Sequence, residues 1–170
     1  QVPAAAVLKH TNPCGAAQST SLADAYQKAF DADSISAFGG IVALNRSIDA
    51  DTAAAMTATF LECIVAPGCD DGAKAVLAKK KNLRVLLLED LLSGPTHTPK
   101  AIAGGFLVQA TDNIEDDPSA WEIVTDKKPD AETLEEPLFA WRLVKHVKSN
   151  AILVTKNRTT QGVGAGQMNR

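Results

Sequence analysis

The chain has 170 residues, 45% hydrophobic and 22% charged, a globular composition long enough to bury a substantial core. Its net charge is -3 with an isoelectric point near 5.6, and apart from Lys79, Lys80 and Lys81 its basic residues are scattered, which argues against a nucleic-acid partner. The odd cysteine set (Cys14, Cys63, Cys69), the lack of a basic leader, and the lack of any run of roughly 18 apolar residues predict a soluble cytoplasmic protein without disulfides or a membrane span.

The chain opens on Gln1 rather than Met and stops at Arg170 just after a glycine-rich turn, so both ends read as cut from something longer. Along it, short apolar runs alternate with amphipathic helical patterns, the signature of an α/β fold with a largely parallel or mixed sheet. A first strand covers about residues 4–9. The stretch SLADAYQKAF then places Ser21 three positions before Asp24, a capping-box start, with Leu22, Ala25, Tyr26, Ala29 and Phe30 at helical spacing. FGGIVALN, 38–45, reads as a strand entered through paired glycines. DADTAAAMTATF, 49–60, reads as an alanine-rich helix leading into a strand at CIVAPG. A further helix, DGAKAVLAKKK, and strand, LRVLLLED, complete a third unit.

The run LLSGPTHTPK, 91–100, with its prolines and glycine, predicts an exposed loop. GGFLVQA, 104–110, predicts another strand, followed by an acidic loop. The longest helical pattern is AETLEEPLFAWRLVKHVKSN, acidic early and basic late as the helix dipole favours, with Pro137 marking either its first turn or a kink. Strand, turn, strand and the opening of a helix follow to Arg170.

Candidate chemistry gathers at VLKHTNPCG, where Lys9 and His10 meet a strand end. Neighbouring side chains of a strand point to opposite faces, so both can address one ligand only where the backbone turns into a loop; Pro13 and Gly15 are expected to supply that turn. A histidine exchanges a proton at neutral pH, and a lysine offers a fixed positive charge or an acid. The alternative is a plain surface Lys-His pair. A zinc-deaminase pattern, H-x-E with P-C-x-x-C, is incomplete: Thr11 and Asn12 follow His10, and no second cysteine follows Cys14. Cys63 and Cys69, separated by five residues with no histidine nearby, read as incidental thiols rather than a metal site. In SAFGG, paired glycines let the backbone approach a ligand while Phe38 offers a face for a flat ring; a tight turn with a core Phe is the alternative. GVGAGQMNR offers backbone N–H groups and Arg170 as an anion cradle, but lacks the G-x-G-x-x-G spacing of a dinucleotide site. His97 reads as exposed and His146 as structural.

The blocks LKHTNPCGAA, SAFGGIVALNR, ECIVAPG, GGFLVQ, WEIVT, FAWRLVKHVKSNAILVTKN and GVGAGQMNR, in this order and spacing, resemble the transformylase domain of the bifunctional purine-biosynthesis family. That family joins aminoimidazole carboxamide ribonucleotide formyltransferase to inosine monophosphate cyclohydrolase, and the resemblance covers essentially the whole chain. It implies transfer of a formyl group from 10-formyltetrahydrofolate to the exocyclic amine of the ribonucleotide, in the cytoplasm and without zinc. It implies His10 as proton acceptor and Lys9 as electrostatic stabiliser or proton donor to the leaving folate. Asn150 would orient the carboxamide and reacting amine, Phe38 and Gly39 would contact the base region, Glu62 would hold it through a carboxylate, and Arg170 would engage the phosphate. Asn169 stands where the family commonly has Ser, and Thr11 is a variable position; neither carries an assigned role.

The resemblance further implies a cytidine-deaminase-like three-layer α/β fold, a mixed sheet flanked by helices without the zinc site. Residues 1–148 would be the first half of the transformylase domain and 149–170 the start of a truncated second half. The site would form across a homodimer, its Lys9–His10 side and its Asn150–Arg170 side contributed by different subunits, with small-molecule nucleotide and folate as partners and neither nucleic acid nor membrane. The competing expectation is a non-catalytic nucleotide-binding module of deaminase-like fold.

Overall fold

The computed structural model of the chain describes residues 2–91, 93–113, 117–166 and 168. It divides into two compact units, Gln1–Glu89 with Pro129–Arg170, and Asp90–Lys128. The larger unit is an α/β structure built on a mixed sheet. Its strands are β1 (Ala4–Lys9), β2 (Asn12–Gln18), β3 (Gly40–Leu44), β4 (Leu61–Ala66), β5 (Arg84–Leu87), β8 (Ile152–Lys156) and β9 (Thr159–Gly164), in the order β5-β4-β3-β1-β2-β9-β8. β1 runs antiparallel to both β2 and β3, whereas β3, β4 and β5 are parallel and joined through helices α2 (Ala50–Thr57) and α3 (Asp71–Leu77). Helix α1 (Leu22–Asp31) packs on β1 and β2 and against α2, so these helices form one layer, while α4 (Ala131–Val144) packs on β8.

Every one of these helices starts on a polar cap. Ser21, Asp49, Asp70 and Asp130 accept the N–H of Asp24, Thr52, Ala73 and Thr133 at 3.2, 2.8, 2.6 and 2.7 Å, each contact worth about 1 kcal/mol. Only half of the capping box expected at Ser21 forms, because the Asp24 carboxylate is taken by the Ser19 hydroxyl and by Lys28 at 2.6 Å. The core beneath α1–α3 is made of Val7, Tyr26, Val42, Ile48, Met56 and Ile64 set among many alanines. Each fully buried large side chain contributes about 1.5–3 kcal/mol. The alanines let helix and sheet approach closely. Gly15 is the extreme case: a Cβ there would stand 2.0 Å from the Ala29 carbonyl oxygen.

Several elements differ from the sequence expectation. The chain does not turn at Pro13 and Gly15: both lie in β2, and the reversal occurs at His10–Thr11, whose φ angles of 49° and 66° make a two-residue left-handed hairpin turn closed by the pair Lys9↔Asn12. Small residues at 14–17 let β2 lie under α1, which the composition of NPCGAA concealed. Opposite Val7 and Leu8 stand Gly15 and Pro13, so Cys14 is the extra residue of a bulge, beside a proline with no N–H to donate. Phe38 and Gly39 precede β3 instead of belonging to it, and β4 begins at Leu61 rather than Cys63. Helix α3 ends at Leu77, short of the lysine run. Helix α4 starts at Ala131 and ends at Val144, so exposed Pro137 lies inside it; His146 and Val147 donate to the carbonyls of Leu143 and Val144, both at 3.0 Å, and the chain leaves the helix there.

The smaller unit is a two-stranded antiparallel ribbon, β6 (His97–Ile102) with β7 (Gly105–Ala110), followed by a short 3-10 turn at Pro118–Ala120. Residues 97–100, expected in a loop, are paired strand, because Pro99 sits on a ribbon whose strands each have a free edge. The helix expected to open beyond Gly164 involves Gln167, Asn169 and Arg170, which lie outside the described residues.

Three measurements check this account. Gly15→Ala is expected to destabilise the fold by about 1–3 kcal/mol in urea unfolding, because α1 must move off β2. Thr11→Gly is expected to raise stability by about 0.5–1 kcal/mol in the same assay, since it removes a β-branched side chain from the left-handed region. Tyr26, the chain's single tyrosine, is 1% exposed, and burial, with a smaller push from Asp31, raises its pKa to about 12. Its burial therefore stabilises fully below about pH 10 and less as pH rises toward 12. An ultraviolet titration should find no phenolate until that range, and Tyr26→Phe should flatten the alkaline loss of stability.

Candidate functional site

The turn between β1 and β2 carries Lys9 and His10 to the edge of a cavity of about 360 Å³. Asn12, Cys14, Asp33 and Ser36 line the same space, which is closed by the end of α1 and by β9 near Gly162 and Val163. A two-residue left-handed turn rotates successive side chains away from the strict alternation of a strand, and this is how two sequence neighbours come to face one volume. Lys9 is half-buried and its Nζ donates to the Phe38 carbonyl oxygen. His10 is exposed at the rim, and Thr11 Oγ1 donates to the His10 carbonyl at 2.6 Å.

The segment that meets Lys9 is a turn held at three points. Gly39 N–H donates to the Phe60 carbonyl at 2.9 Å, Gly40 N–H to the Ala37 carbonyl at 2.9 Å, and the Phe38 and Phe60 rings pack with centroids 5.4 Å apart. The glycines answer to different constraints. Gly39 has φ +66°, while a Cβ on Gly40 would lie 2.8 Å from the Ala37 carbonyl oxygen. Phe38 remains 60% exposed, so its ring offers a face to a ligand as well as an edge to Phe60.

Charge in the cavity is sorted by hydrogen bonding and burial. Hydrogen bonds from the Ser36 hydroxyl and N–H hold the Asp33 carboxyl below its ordinary range, so it is ionised at neutral pH. Burial, reinforced by Asp33 and opposed by Lys9, pushes the Cys14 thiol up. A protonated thiol is neither a nucleophile nor a metal ligand. Among the described residues no group of three or more His, Cys, Asp or Glu is disposed to hold a metal ion. The arrangement instead pairs a base able to exchange protons with a cation, beside a fixed anion and an aromatic face, a set suited to moving a proton while charge develops on a neighbouring oxygen.

The other residues singled out in the sequence stand at different distances from this cavity. Glu62 lies two residues beyond Phe60 on β4, and its Oε2 is bound by Arg84 Nη1 at 2.8 Å in a half-exposed pair. Asn150 is exposed just before β8, and the loop carrying it is tied to the turn through Lys148, whose N–H donates to Asn12 Oδ1 at 3.0 Å. Arg170 lies outside the described residues. His97 is exposed on β6 with Nδ1 3.1 Å from Thr96 Oγ1. Asp33, Ser36 and Asn12 were not singled out from the sequence. Asp33 and Ser36 had a signal, the D-x-x-S spacing of a turn that caps its own backbone; Asn12 had none beyond its place beside Pro13. A second cavity, of about 380 Å³, lies between the end of α2, Phe60 and residues 79–83, and has no histidine or carboxylate in its lining. Among the described residues no helix is long and apolar enough to cross a membrane.

The family model described as the AICARFT/IMPCHase bienzyme matches residues 1–170. The bifunctional purine biosynthesis protein PurH of Synechocystis sp. is 67% identical over 168 residues, covering 99% of this chain and 33% of that protein. PurH of Rippkaea orientalis is 65% identical over 170 residues (100% and 33%), and that of Gloeothece citriformis is 64% identical over 168 residues (99% and 32%). The chain thus spans about a third of the length of the curated relatives it matches. A family match along all of its residues, together with identities of this size, establishes that the chain belongs to the AICARFT/IMPCHase bienzyme family.

Proposed function

We propose that this chain is the part of a purine-biosynthetic formyltransferase that carries the proton-transfer machinery, acting in the cytoplasm on 10-formyltetrahydrofolate and 5-aminoimidazole-4-carboxamide ribonucleotide. The observation that carries the reading is the meeting of Lys9 and His10 on one cavity, with the Phe38–Gly39 turn hydrogen-bonded to Lys9. The exocyclic amine is a poor nucleophile, because its lone pair is delocalised into the ring. His10 accepts a proton from it as nitrogen attacks the formyl carbon, and Lys9 stabilises the negative charge gathering on the formyl oxygen or protonates the departing folate nitrogen. Collapse of the tetrahedral adduct breaks the bond to that nitrogen and leaves the formyl group on the nucleotide amine.

In this reading Phe38 and Gly39 contact the base region, Asn150 orients the carboxamide and amine, and Arg170 engages the phosphate. Glu62 holds the nucleotide through a carboxylate hydrogen bond; Arg84 engages Oε2, so that bond would go to Oε1. The mixed sheet with its helix layer supports assignment to the cytidine-deaminase-like architecture without its zinc. The same reading takes residues 1–148 as the first half of the transformylase domain, 149–170 as the start of the second, and a homodimer as the working form.

The test is formyl transfer by the full-length protein that contains this chain. His10→Ala is expected to lower kcat by about 10²- to 10⁴-fold while calorimetric titration with the ribonucleotide still gives saturable heat. Near-normal turnover in that variant would remove His10 as the base. Tight nucleotide binding by a wild-type protein without any turnover would replace the enzyme reading by that of a nucleotide-binding module.

A further inference from the structure

The turn that leads from α1 into β3 is fastened by Asp33. Its carboxylate accepts the Ser36 N–H at 3.0 Å and the Ser36 hydroxyl, and its backbone carbonyl accepts the Ala37 N–H at 3.0 Å. Ala37, 0% exposed, pins the turn to the interior, and its carbonyl takes the Gly40 N–H at 2.9 Å. Between these anchors stands Phe38, whose carbonyl accepts Lys9 Nζ. Lys9 lies so close over the turn that a Cβ on Gly39 would stand 3.5 Å from Nζ. Among the described residues no carboxylate pairs with Lys9, so the Phe38 carbonyl is the acceptor that holds its ammonium.

From this chain of contacts we infer that Asp33 is a positioning residue for formyl transfer: its side-chain oxygen caps the turn, the turn presents the Phe38 carbonyl, and that carbonyl aims Lys9 at the formyl oxygen. The inference rests on the formyl-transfer reading and deepens it. A short side-chain oxygen that accepts the N–H three residues on holds a turn from within, as an N-cap holds the first turn of a helix. Asp33 and Lys9 share the cavity and push the Cys14 thiol in opposite directions, yet Asp33 spends its oxygens on Ser36 rather than on Lys9. That division matters chemically. A carboxylate bound directly to Lys9 would cancel the charge that a developing oxyanion needs, whereas a carbonyl dipole orients the ammonium and leaves its charge intact. Without the cap the Phe38 peptide can rotate and carry Lys9 with it, and displacements of this kind cost about 10²-fold in rate.

The experiment measures formyl transfer by the full-length protein carrying Asp33→Ala, Asp33→Asn or Asp33→Glu, each alone and combined with Lys9→Ala. Asp33→Ala is expected to lower kcat about 10- to 100-fold. Asparagine keeps an acceptor oxygen at the same reach and drops the charge, so Asp33→Asn is expected to recover most of that loss. Glutamate keeps the charge and moves the oxygens one methylene away from the backbone, so Asp33→Glu is expected to behave like Asp33→Ala. The Asn and Glu variants carry the test whatever the stability of the Ala variant. Combined with Lys9→Ala, each substitution is expected to leave kcat where Lys9→Ala alone puts it, because the effect passes through Lys9. Failure of Asp33→Asn to recover activity, or wild-type activity in Asp33→Glu, would overturn the cap role. A wild-type kcat in Asp33→Ala, or a loss of equal size with and without Lys9, would overturn the positioning role. A wild-type kcat in Lys9→Ala, or a wild-type protein without formyl transfer, would overturn the underlying reading instead.

Discussion

A two-residue reversal between adjacent antiparallel strands leaves the chain almost no conformational choice, and the candidate site depends on that constraint. Because β1 is paired on both edges, its end cannot shift without breaking the ladders to β2 and β3. His10 and Thr11 must therefore take left-handed backbone angles, which β-branched Thr11 adopts only under tertiary restraint. Lys9 and His10 are thereby placed at the end of a central strand paired on both edges rather than on a wandering loop, and their geometry is set by the sheet.

The small residues around that turn serve the same end. Gly15 and the neighbouring alanines bring α1 down onto β2, which sets the end of α1, and with it Asp33 and Ser36, along the cavity. The bulge at Cys14 changes the register of β2 just where its residues line that cavity. Burial then keeps the thiol protonated while hydrogen bonding keeps Asp33 ionised, so packing and electrostatics set the charge on two of the groups that share the cavity with Lys9 and His10. On the far side, Gly39 and Gly40 let the Phe38 carbonyl come back onto Lys9.

Where the fold was legible, a local cause made it so. The cap at Ser21 announced its helix because a short oxygen-bearing side chain satisfies a free N–H within its own turn, and Asp49, Asp70 and Asp130 prove to start the other helices in the same way. Val7, Val42 and Ile64 announced strands because β-branched residues suit a pleated surface. The misreadings are non-local. NPCGAAQ looked like a loop because proline and glycine usually punctuate; only the presence of α1 above it makes small size, rather than turn formation, the reason for Gly15. The helical pattern through KHVKSN failed because Val147 is drawn into the interior after the helix has ended at Val144.

The site divides in the same way. The sequence alone determined which residue types were available and in what order: a lysine beside a histidine at a strand end, an aromatic before paired glycines, a broken metal pattern, and an ordered series of blocks sufficient to indicate the family. These are statements about neighbours in the chain, where covalent spacing limits the geometry. Only the tertiary structure decided that Asp33 and Ser36 share a cavity with Lys9 and His10, that Glu62 is engaged by Arg84, and that Asn12 reaches Lys148. Each of those contacts joins residues brought together by sheet pairing and helix packing, and no local rule of spacing specifies them.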